Sequence, residues 1–221
     1  MMTEWSEDAR TRQGLYRFIG AALRSPDAQR FEILASALDL LDGRDLDRYP
    51  YLIPWRRFRD ELRVVATIEP LEIEYVRLFG VGMGGTPAMP TESYYRVPAR
   101  DGGIADFVAS LERDYGSMGL TSIGTTESPD HISTEMDVMS YLCGVEADAW
   151  ESADVGTAME TLRKEALFLR THLAVWVPSF AERTRAANAA EFYRRLIDLL
   201  HAFIIHEADF VRSIVKRSVP T

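Results

Sequence analysis

The chain is poor in the residues that build covalent staples and metal cages. Its 221 residues include one cysteine, Cys143, and four histidines. A lone cysteine excludes an intramolecular disulfide and a cysteine-rich zinc or iron-sulfur site within one chain, which fits a reducing cytosol. No His-Glu-x-x-His occurs, nor the Glu-x-x-His pairs of di-iron bundles; His201 and His206 are expected on different helix faces and His172 alone, so no metal is expected. No apolar run reaches the length of a membrane span, and the acidic start, MMTEWSEDAR, lacks the basic and apolar parts of an export signal. The expectation is a cytoplasmic protein with no stable membrane insertion. Basic residues are also in deficit, 25 against 34 acidic, for a formal charge of -9. Such a surface repels nucleic acid and favours cationic partners.

What the chain does contain is helical spacing. Hydrophobic residues make up 47% and charged residues 27%, ordinary globular usage. Apolar positions recur at i, i+3 and i+4 from Leu15 to Leu23, Phe31 to Leu41, Trp55 to Val65 and Leu71 to Phe79. The pattern resumes over Ile104 to Met118, from Ser128 onward, over Met159 to Trp176 with an end expected before Pro178, and over Phe192 to Ile214. Alternating strand patterns of useful length and fixed-period repeats are missing. The expectation is an all-α fold: one helical domain over 1–221, with about eight or more helices in two halves joined by a Gly/Pro-rich loop at about 80–103.

Gly80, Gly82 and Gly85 spell G-x-G-x-x-G, but a helix precedes them and prolines follow, so the strand-turn-helix setting of a dinucleotide site is missing. No phosphate-loop Gly-Lys-Ser/Thr occurs, and no Gly-x-Ser-x-Gly elbow. Cys143, in the middle of a helix, reads as a small buried hydrophobe. The segment SPDHISTE offers Ser128 as N-cap, Pro129 at the first helical position, Asp130 in the first turn, and His131 one turn from Glu135. That spacing predicts a His131–Glu135 pair that orients the ring and favours its charged form. The residues alone read as a soluble helical protein with a histidine at a helix start and no identifiable reaction; the alternative is a small helical nucleotide-dependent regulator or enzyme using the Gly-rich loop and His131.

Two segments together carry a resemblance. Tyr75, Leu78 and Phe79 close a helix; Pro90, Ser93 and Tyr95 follow in a Gly/Pro loop; then Glu127, Pro129, Asp130, His131 and Glu135 open another helix. This series resembles the TorD/DmsD family of redox-enzyme maturation chaperones. The resemblance implies an all-helical fold, no catalysis and no cofactor. It implies as partner the apo catalytic subunit of a molybdopterin-dependent oxidoreductase of the dimethyl sulfoxide reductase superfamily, with its twin-arginine leader peptide, and allows weak guanine nucleotide binding. Asp130 and His131 match leader-binding positions; Leu78, Phe79 and Pro90 match apolar groove positions; Ser93, Tyr95, Glu127 and Glu135 complete the expected partner-binding set. Thr91 stands where some members carry Trp, so the groove wall differs.

Overall fold

A computed structural model of the chain describes residues 2–81, 85–97, 103–120 and 127–217. These form ten helices: α1 (Met2–Ala22), α2 (Ala28–Asp42), α3 (Leu52–Val64), α4 (Glu69–Phe79), α5 (Glu92–Arg96), α6 (Ile104–Ser117), α7 (Ile132–Glu151), α8 (Val155–Thr171), α9 (Leu173–Ala186) and α10 (Glu191–Arg217). Among the described residues no β-strand is found, and no helix is long and apolar enough to cross a membrane.

The bundle is organised around α7, whose buried positions include Met136, Val138, Met139, Leu142, Cys143 and Ala147. A helix apolar on most sides has to be enclosed, and α1 and α8 enclose it. Glycines set the closeness of the α1/α7 crossing. A Cβ on Gly20 would meet Met136 Cβ at 2.9 Å, and one on Gly144 would strike the Gln13 side chain. On the other side α10 packs on α3, α8 and α9 through a stripe that includes Leu196, Leu200, Phe203 and Val211. Local signals start several helices: Asp27 caps α2 by accepting from Arg30 N at 2.7 Å, and Asp154 caps α8 by accepting from Thr157 N at 3.0 Å. Gly119, at φ +94, takes the left-handed position that ends α6.

Three expectations need correction. The helix expected to end before Pro178 instead breaks at His172 (φ -125, ψ -97), and α9 runs through Pro178. The buried Trp176, Val177, Phe180 and Ala181 hold α9 together, so packing outweighs the single hydrogen bond that proline removes. The 80–103 connector is not wholly irregular, since it contains the short α5. Gly82, the middle glycine of the G-x-G-x-x-G run, lies outside the described residues. Finally, α7 begins at Ile132 rather than in the Ser128 turn, and its N-cap is His131.

Candidate functional site

The two motif segments meet at one junction. Thr91 and His131 form an antiparallel bridge, flanked by Glu92 N donating to the Asp130 carbonyl (2.8 Å) and Ile132 N to the Pro90 carbonyl (2.9 Å). The Asp130 carboxylate then caps a helix from another part of the chain: Oδ2 accepts from Ser93 N in the first turn of α5 (3.2 Å), while Oδ1 accepts from the Ser128 hydroxyl (2.7 Å). Below, the Tyr115 hydroxyl of α6 donates to the Pro129 carbonyl (2.7 Å), and Thr134 Oγ1 donates to the Ser128 carbonyl (2.9 Å). Three hydrogen bonds thus hold 130–132 against 90–93, and Asp130 is buried while making two of them.

His131 does not pair with Glu135. Its Nδ1 accepts from Ser133 N (3.2 Å) and lies 2.7 Å from Ser133 Oγ, which leaves Nε2 as the protonated nitrogen, 4.0 Å from Glu127 Oε2. As N-cap the residue has extended backbone, φ -75 and ψ 140, so its ring folds over the first turn of α7 onto Ser133, with Nε2 on the Glu127 side and out of line with Glu135. Burial pulls the ring below its ordinary pKa, more than Glu127 and Asp130 raise it, so the charged form is disfavoured, contrary to the expectation from spacing. Ser128, expected as the cap, serves Asp130.

Glu135 points inward. Fully buried, its Oε2 accepts from Trp176 Nε1 (3.1 Å), and its carboxyl is pushed well above the usual range, first by burial and then by the neighbouring Glu92. Glu92, also fully buried, is held by Arg96 and by His172 Nδ1 at 2.9 Å. His172, expected to sit alone, is therefore engaged, and its Nε2 lies 3.6 Å from Asp114 Oδ2. Two helices end at this ring, and the break between α8 and α9 is what aims it at Glu92. A cleft of about 380 Å³ opens beside it, between Arg96, Phe107, Asp114 and His172.

The apolar motif residues form the wall behind. Leu78, Phe79 and Pro90 are buried; Phe79 packs on Tyr75, Phe180 and Tyr193. Tyr95 stacks on Trp176 at 5.4 Å between ring centroids, and Tyr94 stands outside it, 40% exposed. Glu127 is at the rim, its side chain 30% exposed.

A second polar cluster, unforeseen in the sequence, lies in the bundle interior. Arg12 of α1 is 1% exposed and donates from Nη1 to Glu146 (2.7 Å), from Nε to Glu207 (2.7 Å) and from Nη2 to Glu165. Cys143, Glu146 and Glu165 bring ligand-capable atoms within 4.8 Å of one another, a grouping that sequence spacing did not reveal. The guanidinium already engages both of those glutamates and supplies the positive charge there. Burial lifts the Glu165 carboxyl to about 8, and burial also raises the Cys143 thiol, so this cysteine is no nucleophile.

Fold and junction together define an all-helical protein whose two motif segments are tied into one buried acidic joint. Comparison with known proteins makes the class specific. A family model described as nitrate reductase delta subunit matches residues 50–182, a span that contains every residue of the junction. The chain is 31% identical over 144 residues to the chlorate reductase assembly chaperone protein of Ideonella dechloratans, covering 63% of this chain and 72% of that one. It is 32% identical over 146 residues to the selenate reductase assembly chaperone protein of Thauera selenatis, covering 64% and 72%. The chaperone protein TorD of Photobacterium profundum is 24% identical over 163 residues, covering 72% and 73%. The crystal structure of a candidate redox enzyme maturation protein from Archaeoglobus fulgidus superposes with a TM-score of 0.51 over 93% of this chain and 92% of that one; at 18% identity this likeness shows the fold alone. The chain belongs to the nitrate reductase delta subunit family, within the TorD/DmsD group of redox-enzyme maturation proteins. It is a maturation chaperone and not an enzyme.

Proposed function

We propose that this chain, acting as one helical unit over 1–221, is a cytoplasmic chaperone for the apo catalytic subunit of a molybdopterin-dependent oxidoreductase of the dimethyl sulfoxide reductase superfamily. It binds that subunit's twin-arginine leader and holds it until the cofactor is inserted. The observation that supports this reading most is the junction itself. Segments 37 residues apart in sequence are tied together around Asp130, with a carboxylate at the rim and aromatic rings beside it. A leader with a cationic head and an apolar tail is complementary to such an edge. In this reading Glu127 meets an arginine, Tyr94 and the exposed Val81 meet the apolar tail, and Asp130, His131 and Glu135 act from beneath by fixing the 127–135 segment.

The test is coexpression of a catalytic subunit of this class with and without the chain, reading molybdenum per subunit. The reading requires a severalfold higher loading with the chain, and a drop with Glu127→Gln at unchanged chaperone level. Equal loading with and without it sinks the proposal.

A further inference from the structure

Beside the seat of α1 on α7, a groove of about 710 Å³ runs between α1 and α2. The two helices run antiparallel: Gly14 lies against Leu41, where an added Cβ would be 3.1 Å from Leu41 Cδ2, whereas Ala21 and Ala22 lie beside Leu34. Helix α2 is apolar on two neighbouring faces. Leu34, Leu38 and Leu41 are buried in the core. Ile33, Ala37 and Leu40 repeat the same i, i+4, i+7 spacing one position earlier, and line the groove instead; Ile33 is 54% and Leu40 76% exposed. A second apolar stripe at helical spacing is the pattern of a face that packs on another helix.

Charge identifies what kind of helix. In a chain of net charge -9, this groove is lined by three arginines, Arg10, Arg17 and Arg44, against Glu32. Arg10 is bound to Asp148 and Glu151, but Arg17 and Arg44 are exposed, and their side chains enter no ion pair among the described residues. From Gln29 to Leu41 the lining spans about 18 Å, a little over three turns of α2. We propose that the α1/α2 groove docks an amphipathic helix with acidic flanks, presented by the client protein. This inference goes beyond leader binding and is chemically opposed to it, because the arginine rim repels a cationic leader.

The probe is a labelled synthetic amphipathic helix with leucines along one face and glutamates flanking it, compared with a twin carrying lysines in place of the glutamates. The acidic helix is expected to bind the full chain, and the basic twin to bind at least about tenfold more weakly, a difference of about 1.4 kcal/mol. Leu40→Glu, Ala37→Trp and Arg17→Glu each weaken the acidic helix by about tenfold or more while the leader titration stays as in the parent. Leu40 and Arg17 are exposed, so those two variants keep their melting temperature. Equal or tighter binding of the basic twin, no binding of either helix, or indifference to Leu40→Glu and Arg17→Glu would overturn the proposal. So would leader binding that is lost with Leu40→Glu, which assigns the groove to the leader. A concentration-dependent dimer that Leu40→Glu dissociates in sedimentation overturns it too, since a second copy then covers the groove.

Discussion

The Arg12 cluster and the Glu92 junction are both polar interiors in an apolar bundle, yet they are built to different standards. At Arg12 three carboxyl groups surround a guanidinium that is 1% exposed, and the helices they join, α1, α7, α8 and α10, are the long ones. At the junction the carboxyls of Glu92 and Glu135 face each other, and the nearest full cation, Arg96, has a side chain 33% exposed. The first site carries its own countercharge and closes the bundle. The second has no buried guanidinium and leans on a surface arginine and a histidine at a helix break, although burial raises a carboxyl at both sites. A buried charge that loses its partner is costly, so the first arrangement serves permanence, while the second can be opened at smaller cost where a client binds.

Breaking the countercharge should therefore have the largest effect. Arg12→Met leaves Glu146, Glu165 and Glu207 buried around an apolar side chain, and we expect a loss of about 3–5 kcal/mol in urea unfolding, close to the whole stability of many domains. A loss under about 1 kcal/mol would show that the cluster is not what closes the bundle.

Proton dependence sharpens the contrast next. Glu165 is raised from 4.5 to about 8 by burial, so between these values the folded chain binds a proton that the unfolded chain has released. Its contribution is complete below about pH 4.5 and is lost as pH rises through about 8. Glu135, also raised by burial, acts in the same direction. His131, lowered by burial, acts in the opposite one: its contribution is present above the ordinary histidine pKa and lost as pH falls. Urea midpoints of Glu165→Gln should vary less steeply from pH 5 to 8 than those of the parent; an unchanged slope contradicts the assignment of that proton.

Within the junction the two carboxyls should separate. Glu92→Gln loses the charge partner of Arg96 and His172 and should cost about 2 kcal/mol, whereas Glu135→Gln replaces a neutral acid by a neutral amide that still accepts from Trp176 and should cost under about 1 kcal/mol. Thermal melts that rank them in the other order would reverse their roles. The smallest effect concerns the cap. His131→Ala should cost about 1 kcal/mol and His131→Asn much less, since asparagine can accept from Ser133 N; Ser128→Ala, which removes a bond to Asp130 outside the cap, should cost less than His131→Ala.

Spacing in the chain revealed the helices well, because apolar recurrence is a local property. The stripes from Leu15, Phe31, Trp55, Leu71, Ile104 and Phe192 all became helices. The all-α class and the family followed from such patterns and from the motif series. What stayed hidden was set by distance or by packing. Arg12 meets Glu146, Glu165 and Glu207 from 134, 153 and 195 residues away, and no helix face taken alone announces that partnership. Charged residues at apolar register were the one available signal: Glu207 falls in the same α10 stripe as Phe203 and Val211. The His131–Glu135 pair failed because i, i+4 spacing predicts contact only inside a helix, and His131 is its cap. Pro178 misled because local propensity yields to a buried face.

The most direct test of the central claim is calorimetric titration of the chain with a twin-arginine leader peptide at low and at high ionic strength, alongside guanine nucleotide as the rival ligand. The account predicts stoichiometric leader binding that weakens with salt and with replacement of both leader arginines, because part of the attraction is between guanidinium groups and the acidic rim at Glu127. Binding of the nucleotide without the leader, or leader binding indifferent to salt and to its arginines, would contradict it.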